Sequence, residues 1–164
     1  MKYIGVKILN SAELMTKQVY CDMRGWNVPA DEDPNEEVYL VEYEATEGTK
    51  PNLNPYKGYV SMSPKDVFEK AYRPCEKMSF GLAVEAARLG KKIARVGWNG
   101  ANMFAYIVPA AKYKAQTSVI MDMAFDNDMI PYREYWALFT AQKDIAMWSP
   151  SGSDSLAEDW MIVK

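Results

Sequence analysis

The strongest constraint on the fold is the run of residues 91–108, in which two apolar, strand-like segments flank a short turn. Segments 91–96 and 103–108 are each long enough for a strand, and Gly97-Trp98-Asn99-Gly100 lies between them. Glycine and asparagine tolerate the left-handed backbone that tight hairpin turns require. The pattern therefore predicts a β-hairpin that carries a tryptophan at its turn.

Trp98 has two interpretations, because large aromatics usually lie in a core whereas hairpin turns usually lie at the surface. It either covers the end of the core or offers a flat face on which a purine can stack. Asn99 is a common turn residue, and its amide could also contact a base edge or a ribose hydroxyl. Arg95, just before the turn, is either a solvated strand end or the best-placed cation for a pyrophosphate.

The segment 148–160 has tryptophans at both ends of a hydroxyl-rich loop, which contains Ser151, Ser153 and Asp154. Such loops can hold phosphate or ribose through backbone N–H and hydroxyl groups. Alternatively, Ser153 or Asp154 only caps the turn that follows. Taken with Trp98, the loop predicts a pocket for a flat, polar ligand such as a nucleotide.

The composition excludes several classes of site. The 164 residues contain no histidine, which removes Ser-His-Asp and Cys-His nucleophile pairs and the commonest metal ligand. Cys21 and Cys75 lack a zinc-site spacing, and two reduced thiols are expected in a cytosolic protein. An enzyme would therefore depend on carboxylates, Lys, Tyr or an exogenous metal. The sequence predicts neither a bound metal nor a cofactor.

Charge and hydropathy indicate a soluble protein with a small ligand. The net charge of −3 argues against binding of DNA or RNA polymers. Residues 1–76 carry 9 basic and 13 acidic groups and residues 77–164 carry 10 and 9, so a phosphate ligand is better accommodated by the second half. No apolar run approaches the ~20 residues that span a bilayer, and no signal-peptide core is present. We expect no membrane segment.

The first half predicts a small α+β module. Residues 3–9 read as a strand, and residues 16–25 as a helix capped by its threonine and ended by its glycine. Residues 38–43 and 59–62 alternate like paired strands. The Ser-Pro start of residues 63–72 predicts a second helix with a serine cap.

The second half predicts an antiparallel sheet with a packed helix. Residues 79–89 form a serine-capped helix with one apolar face, and residues 117–125 are a further helical candidate. Residues 135–140 and 145–148 read as a second hairpin, and residues 160–163 as a final strand. The expected fold class is therefore α+β.

The Pro-containing segment 73–77 is the predicted boundary between these parts. We expect residues 1–76 to form an N-terminal module of unassigned role, and residues 77–164 to form the nucleotide-binding domain.

Residues 78–83, 90–100, 103–104, 108–109 and 148–160 together resemble a small phage and prophage domain, the Thoeris anti-defence sponge family. The resemblance covers residues 78–163. It also shows departures, in the turn of the second hairpin and in residues 112–131. Residues 1–76 lie outside it and resemble a phage-encoded module.

The resemblance implies a protein that sequesters cyclic ADP-ribose isomers made by bacterial immune TIR proteins, without cleaving them. Some members of the family also bind cyclic di- or trinucleotides. It implies a homo-oligomer, a tetramer of two dimers with pockets between protomers, in the cytoplasm of the infected bacterial host. The pocket candidates carried over by position are Trp98, Asn99, Met103, Phe104, Trp148, Ser151, Ser153 and Asp154.

Two alternatives stay open at this point. One is a nucleotide hydrolase that uses carboxylates and a metal, and the other is a structural or interaction module whose tryptophans are only core. Trp98→Ala separates the sponge from the last of these. In a sponge it abolishes capture and leaves stability nearly intact, whereas a core role predicts a collapse in stability.

Overall fold

The computed structural model describes residues 1–2, 5–121, 123 and 125–164. The chain is mixed α+β with antiparallel sheets, which confirms the predicted fold class. Its internal contacts divide it into two units, Met1–Arg73 and Pro74–Lys164. The boundary expected after residue 76 and the separate roles of the two parts stay predictions.

The first unit is a three-stranded antiparallel sheet in the order β1-β2-β3. Its elements are β1 (Leu9–Thr16), α1 (Lys17–Arg24), β2 (Glu37–Tyr43), β3 (Val60–Pro64) and α2 (Lys65–Ala71). The central strand β2 is the most buried, since both of its edges are paired and both of its faces are covered.

The two faces of β2 pack on different groups. Val38 and Leu40 are fully buried, and they pack with Tyr20 of α1 and with Val60. On the other face, the ring of Tyr39 stacks on Phe68 of α2 at a centroid distance of 4.1 Å. Alternation along one strand thus supplies both layers of the core.

Helix α1 begins and ends at the capping residues that the sequence predicts. The hydroxyl of Thr16 accepts a hydrogen bond from the backbone N–H of Val19 at 3.3 Å, and Gly25 ends the helix at a φ of +66°. The strands predicted at 38–43 and 59–62 are also confirmed, as β2 and the first part of β3.

Two predictions for this unit are wrong. The first strand covers Leu9–Thr16 instead of residues 3–9, of which Tyr3 and Ile4 lie outside the described residues. Residues 9–16 form the strand because their backbone pairs with β2, from Thr16 opposite Glu37 onward. Ser63 is not the cap of α2, because it still pairs with Tyr39 in the sheet.

A buried ammonium group closes the acidic loop between α1 and β2. Lys17 is 7% exposed, and its Nζ pairs with Glu32 at 2.7 Å and with Glu36. These carboxylates raise the pKa of Lys17 and keep it charged. The loop is therefore tied to the helix.

Glu42 holds the segment before β3. Its Oε1 accepts hydrogen bonds from the backbone N–H groups of Lys57 at 3.0 Å and Gly58 at 2.8 Å. A Cβ at Gly58 would lie 1.9 Å from the carbonyl oxygen of Tyr43, so this position requires glycine.

The described residues of the second unit form eleven short elements. In chain order they are α3 (Phe80–Arg88), β4 (Lys92–Arg95), β5 (Phe104–Val108), β6 (Ala111–Lys114), α4 (Ser118–Met121), a 3-10 turn (Asp126–Asp128), β7 (Met129–Tyr132), β8 (Tyr135–Phe139), β9 (Ile145–Met147), α5 (Gly152–Ser155) and β10 (Trp160–Val163). Five of the strands form an antiparallel sheet in the order β10-β4-β5-β8-β9.

Helix α3 packs on one face of this sheet, where Ile93, Ala105 and Trp160 are completely buried. The hydroxyl of Ser79 caps the helix, and Gly90 follows it at a φ of +78°, as predicted. We call the opposite side of the sheet the outer face; it carries Phe104, Tyr106, Phe139, Ile145 and Met147.

The pairing of both predicted hairpins and the final strand are confirmed. The tight turn predicted at 97–100 is wrong, because the connection between β4 and β5 covers residues 96–103, in which Asn102 has a φ of +61°. A short helix, Ser118–Met121, lies within the predicted segment 117–125, of which Asp122 and Ala124 lie outside the described residues. The sequence reading missed the pairing of β6 with β7, which form a two-stranded sheet of their own. We call residues 111–132 the arm.

Candidate functional site

Trp98 lies in the connection between β4 and β5 and is half-buried. Its ring meets Trp148 and Trp160 edge to face, at centroid distances of 5.8 and 5.5 Å. It packs against the core of the unit, as one of the two interpretations expected. Part of the ring stays accessible, so stacking on a ligand stays a prediction.

Asp154 lies beside Trp98 and organises the serine-rich loop. The hydroxyl of Ser151 caps α5 by accepting the N–H of Asp154, while the Asp154 Oδ2 accepts the N–H of Ser151 at 3.0 Å and its hydroxyl at 2.7 Å. The expectation that Ser153 or Asp154 caps the turn is wrong, because Ser151 is the N-cap of α5 and Asp154 completes the capping box from the third helical position. The backbone carbonyl of Asp154 also accepts the indole N–H of Trp160 at 2.9 Å.

The other carboxylate oxygen of Asp154 faces the hairpin. Its Oδ1 accepts hydrogen bonds from Nη1 of Arg95 at 2.9 Å and from Nε1 of Trp98 at 3.3 Å. Burial opposes ionisation of this carboxyl, but the hydrogen bonds from Ser151, Arg95 and Trp98 outweigh it and lower the pKa of Asp154 to about 2. Asp154 is therefore an ionised acceptor whose oxygens are already occupied.

Arg95 joins this loop to the last strand. Its Nε donates to Oδ1 of Asp159 at 2.8 Å, in addition to the bond to Asp154. The second oxygen of Asp159 accepts the backbone N–H of Gly97 at 3.0 Å, so the same carboxylate also holds the start of the Trp98 turn. Arg95 lowers the pKa of Asp159 as well.

The net charge of the site is negative, since one guanidinium faces the two carboxylates of Asp154 and Asp159. Arg95 acts as a brace within the chain, with a side chain only 19% exposed. Its expected contact with a pyrophosphate stays a prediction.

The remaining candidates do not all converge on Trp98. Asn99 is exposed on the same connection, and Met103 lies against Gly100. Ser153 is exposed, with its hydroxyl 2.9 Å from that of Ser151. Phe104 alternates with the buried Ala105 and so lies on the outer face, stacked on Phe139.

The sequence reading missed two residues of this site. Asp159 was not singled out, although it directly precedes the buried Trp160, which pairs with Arg95 in the ladder of β10 and β4. Trp136 meets Trp148 edge to face at 5.7 Å. Four tryptophans are thus linked through their rings.

The described residues contain no group of three or more Cys, Asp or Glu side chains placed to hold a metal ion. In the same part of the chain, no helix has the length and apolar character needed to cross a bilayer.

Residues 78–163 match the Thoeris anti-defense 2-like domain. The chain belongs to this family. It is also 37% identical, over 92 residues, to "Thoeris anti-defense 2" of Bacillus phage SP01, an alignment that covers 53% of this chain and 96% of that protein. The resemblance read from the sequence is thereby confirmed.

The Thoeris anti-defense 2-like domain contains the complete network of Trp98, Arg95, Asp154 and Asp159. It begins at Met78, whose backbone pairs with Trp160 next to that network. The first unit lies outside the matched residues. That unit has its own open groove of about 520 Å³, lined by Lys7, Ile8, Tyr43, Glu44, Tyr59 and Ser61.

Proposed function

We propose that this protein binds and sequesters a cyclic nucleotide immune signal without cleaving it. The ligand is a cyclic ADP-ribose isomer, with cyclic oligonucleotides as the second ligand class, and binding takes place in the cytoplasm of an infected bacterium. Membership of the Thoeris anti-defense 2-like family supports this proposal. The observation that carries it is the fixed Trp98 ring beside the capped serine loop.

The site suits a nucleoside. The Trp98 ring is held by its Nε1 hydrogen bond to Asp154 and by its contacts with Trp148 and Trp160, so its accessible part is a rigid surface for a base. Stacking of this kind contributes about 1–3 kcal/mol. Asn99, Ser151 and Ser153 are exposed nearby and offer amide and hydroxyl groups for base edges and ribose hydroxyls. Because Trp98 and Ser151 are held before the ligand arrives, their ordering adds little to the cost of binding.

The electrostatics argue for binding instead of hydrolysis. A general base needs a pKa near the working pH, whereas the pKa of Asp154 is lowered to about 2. Its carboxylate oxygens accept four hydrogen bonds already. Asp154 therefore serves the site by fixing Trp98, Arg95 and Ser151.

The full set of proposed ligand contacts falls into two groups. Direct contacts come from the accessible side chains near the turn and the loop, whereas Arg95 and Asp154 act by holding those side chains in place. The set comprises Arg95, Trp98, Asn99, Met103, Phe104, Trp148, Ser151, Ser153 and Asp154. Since Phe104 lies on the outer face, it reaches a ligand only at a pocket shared with another protomer, in the proposed tetramer of two dimers.

A capture-and-release assay tests the proposal. Purified protein is mixed with a cyclic ADP-ribose isomer, freed of unbound ligand and heated, and the released molecule is analysed. Release of intact ligand is expected. A linear product would establish an enzyme, and failure to retain any of the cyclic immune nucleotides would overturn the proposal.

Trp98→Ala should abolish capture. Because Trp98 is half-buried, we now expect a stability loss of about 2 kcal/mol as well, roughly half that of a fully buried tryptophan. Asn99→Ala separates the two effects, since its exposed amide should weaken capture without changing the melting temperature. Trp26→Ala, an exposed tryptophan in the first unit, is the matched control and should retain full capture.

A further inference from the structure

The groove of the first unit lies on a face of the sheet that α2 covers only in part. Tyr39 and Tyr43 are four residues apart on β2, so their side chains lie on the same face. Phe68 of α2 stacks on Tyr39, whereas the Tyr43 end of that face opens into the groove of about 520 Å³. Ligand sites in proteins generally have volumes of about 300–1,000 Å³. The groove is therefore large enough for a small molecule.

Two tyrosine rings line this groove, and one of them is held in place. The Ser61 hydroxyl donates a long hydrogen bond to the Tyr43 hydroxyl at 3.4 Å, and the side chain of Tyr72, directly after α2, is hydrogen-bonded to Tyr43 as well. The Tyr59 ring lies 6.5 Å from the Tyr43 ring, centre to centre, and is 52% accessible. Tyr59 thus offers a ligand an aromatic surface beside a fixed ring.

Two side chains of opposite charge line the same groove. The Lys7 Nζ lies 4.6 Å from the centre of the Tyr43 ring, and among the described residues Lys7 forms no salt bridge. Glu44 is exposed and also interacts elsewhere in the chain, but the two oxygens of a carboxylate together accept about four hydrogen bonds. The groove therefore combines a cation, an anion and an aromatic surface, with no net charge.

We propose that this groove binds a zwitterionic small molecule with an aromatic ring, the chemistry of a free aromatic amino acid. The ligand carboxylate pairs with the Lys7 ammonium group, the ligand ammonium group pairs with the Glu44 carboxylate, and the ligand ring packs on Tyr59. A ligand with several phosphates fits less well, because it would face Glu44 in a half of the chain that carries 9 basic and 13 acidic groups.

The proposal is independent of nucleotide capture, because all six lining residues lie outside the Thoeris anti-defense 2-like domain. It gives the first unit a binding role of its own.

Four probes that differ by single groups test the assignment on the full-length chain, in ligand-observed NMR titrations. L-phenylalanine carries all three groups, phenylalaninamide lacks the carboxylate, N-acetylphenylalanine lacks the ammonium group and L-alanine lacks the ring. A dissociation constant of roughly 1 mM is expected for L-phenylalanine, since the ligand is small and the groove is open. The two probes with one charge should bind about threefold more weakly, the effect of losing one accessible ion pair, and L-alanine should not bind detectably.

Substitutions then assign each contact. Lys7→Gln should weaken binding of L-phenylalanine about threefold and leave binding of phenylalaninamide unchanged, because the amide has no carboxylate to lose. Glu44→Gln should likewise weaken L-phenylalanine and leave N-acetylphenylalanine unchanged. Tyr59→Leu should weaken L-phenylalanine at least about fivefold, the lower end of the effect of losing one stacked ring. The matched control is Tyr113→Leu, a 48% accessible tyrosine of the second unit, which should bind as the wild type does.

Three results would overturn the proposal: no binding of L-phenylalanine by the wild type, equal affinities for the probes with one and two charges, or a Lys7→Gln chain that loses phenylalaninamide as strongly as L-phenylalanine. Trp98→Ala separates the two sites, since it should bind L-phenylalanine as the wild type does; loss of that binding would place the ligand in the second unit and refute the assignment. Amino-acid binding without nucleotide capture would refute only the proposed function.

Discussion

The substitution Asp154→Asn tests whether the buried carboxylate holds the site together. The change preserves shape and removes charge, and the new amide N–H₂ must face donors on Arg95, Trp98 or Ser151. Replacing an acceptor by a donor in such a place leaves at least one buried group unsatisfied. The C-terminal unit should therefore lose stability at neutral pH.

The magnitude follows from the pKa. Folding lowers the pKa of Asp154 from its ordinary 3.8 to about 2, which corresponds to about 2 kcal/mol of stability from the ionised form. A lowered pKa in the folded state means that this stability is present above the unfolded pKa. It is lost as the pH falls from about 4 to about 2.

The assay is urea denaturation from pH 7 to pH 2, followed by tryptophan fluorescence. Four of the five tryptophans, at positions 98, 136, 148 and 160, belong to the C-terminal unit, so the signal reports mainly on that unit. The free energy of unfolding of Asp154→Asn should lie about 2 kcal/mol below that of the wild type at pH 7. The difference should shrink toward zero near pH 2.

A matched control is Glu158→Gln, which removes an exposed carboxylate from the same segment. Its stability should stay within about 0.5 kcal/mol of the wild type at every pH. Equal stability of Asp154→Asn and wild type at pH 7, or a deficit that does not change with pH, would refute the reasoning.

Two further predictions concern the brace and the first unit. Arg95→Lys keeps the charge, but an ammonium group cannot contact both Asp154 and Asp159 as the forked guanidinium does. The free energy of unfolding of the second unit, measured by urea denaturation, should fall by roughly 1.5 kcal/mol, the value of one charge-assisted hydrogen bond. Unchanged stability would show that the contacts of Arg95 do not stabilise this unit. Gly58→Ala forces a Cβ to within 1.9 Å of the Tyr43 carbonyl oxygen and should destabilise the first unit by roughly 1–3 kcal/mol. The measurement is urea denaturation followed by Trp26 fluorescence, in a variant whose other tryptophans are replaced by phenylalanine. An unchanged Trp26 transition would contradict the assigned steric conflict.

Elements with a chemical start or stop signal could be predicted from the sequence. Thr16 and Gly25 bound α1, and Ser79 and Gly90 bound α3, because caps act through neighbouring backbone groups. The first strand could not be placed, since its position is chosen by the distant partner β2. The pairing within the arm was missed for the same reason.

The site was predictable in its residue types but only partly in its geometry. The motif around Trp98 and the loop around Asp154 are visible in the sequence, and they do meet. The inward turn of Arg95 toward Asp159 depends on the register of β10 against β4, which no local pattern reveals. Alternation along β5 places Phe104 and Tyr106 on one face, but only the packing of α3 decides that this face lies opposite the helix.

The charge balance at Trp98 links the proposed binding to the proposed assembly. One protomer offers a fixed ring and hydroxyl groups, but its guanidinium is occupied by two carboxylates. A ligand with two or more phosphates therefore meets a negative site unless further cations approach. In the proposed tetramer of two dimers, the pocket is shared with another protomer, whose side chains can supply such cations. We therefore expect the proposed capture of a phosphorylated ligand to be tighter in an assembled protein than in a single protomer.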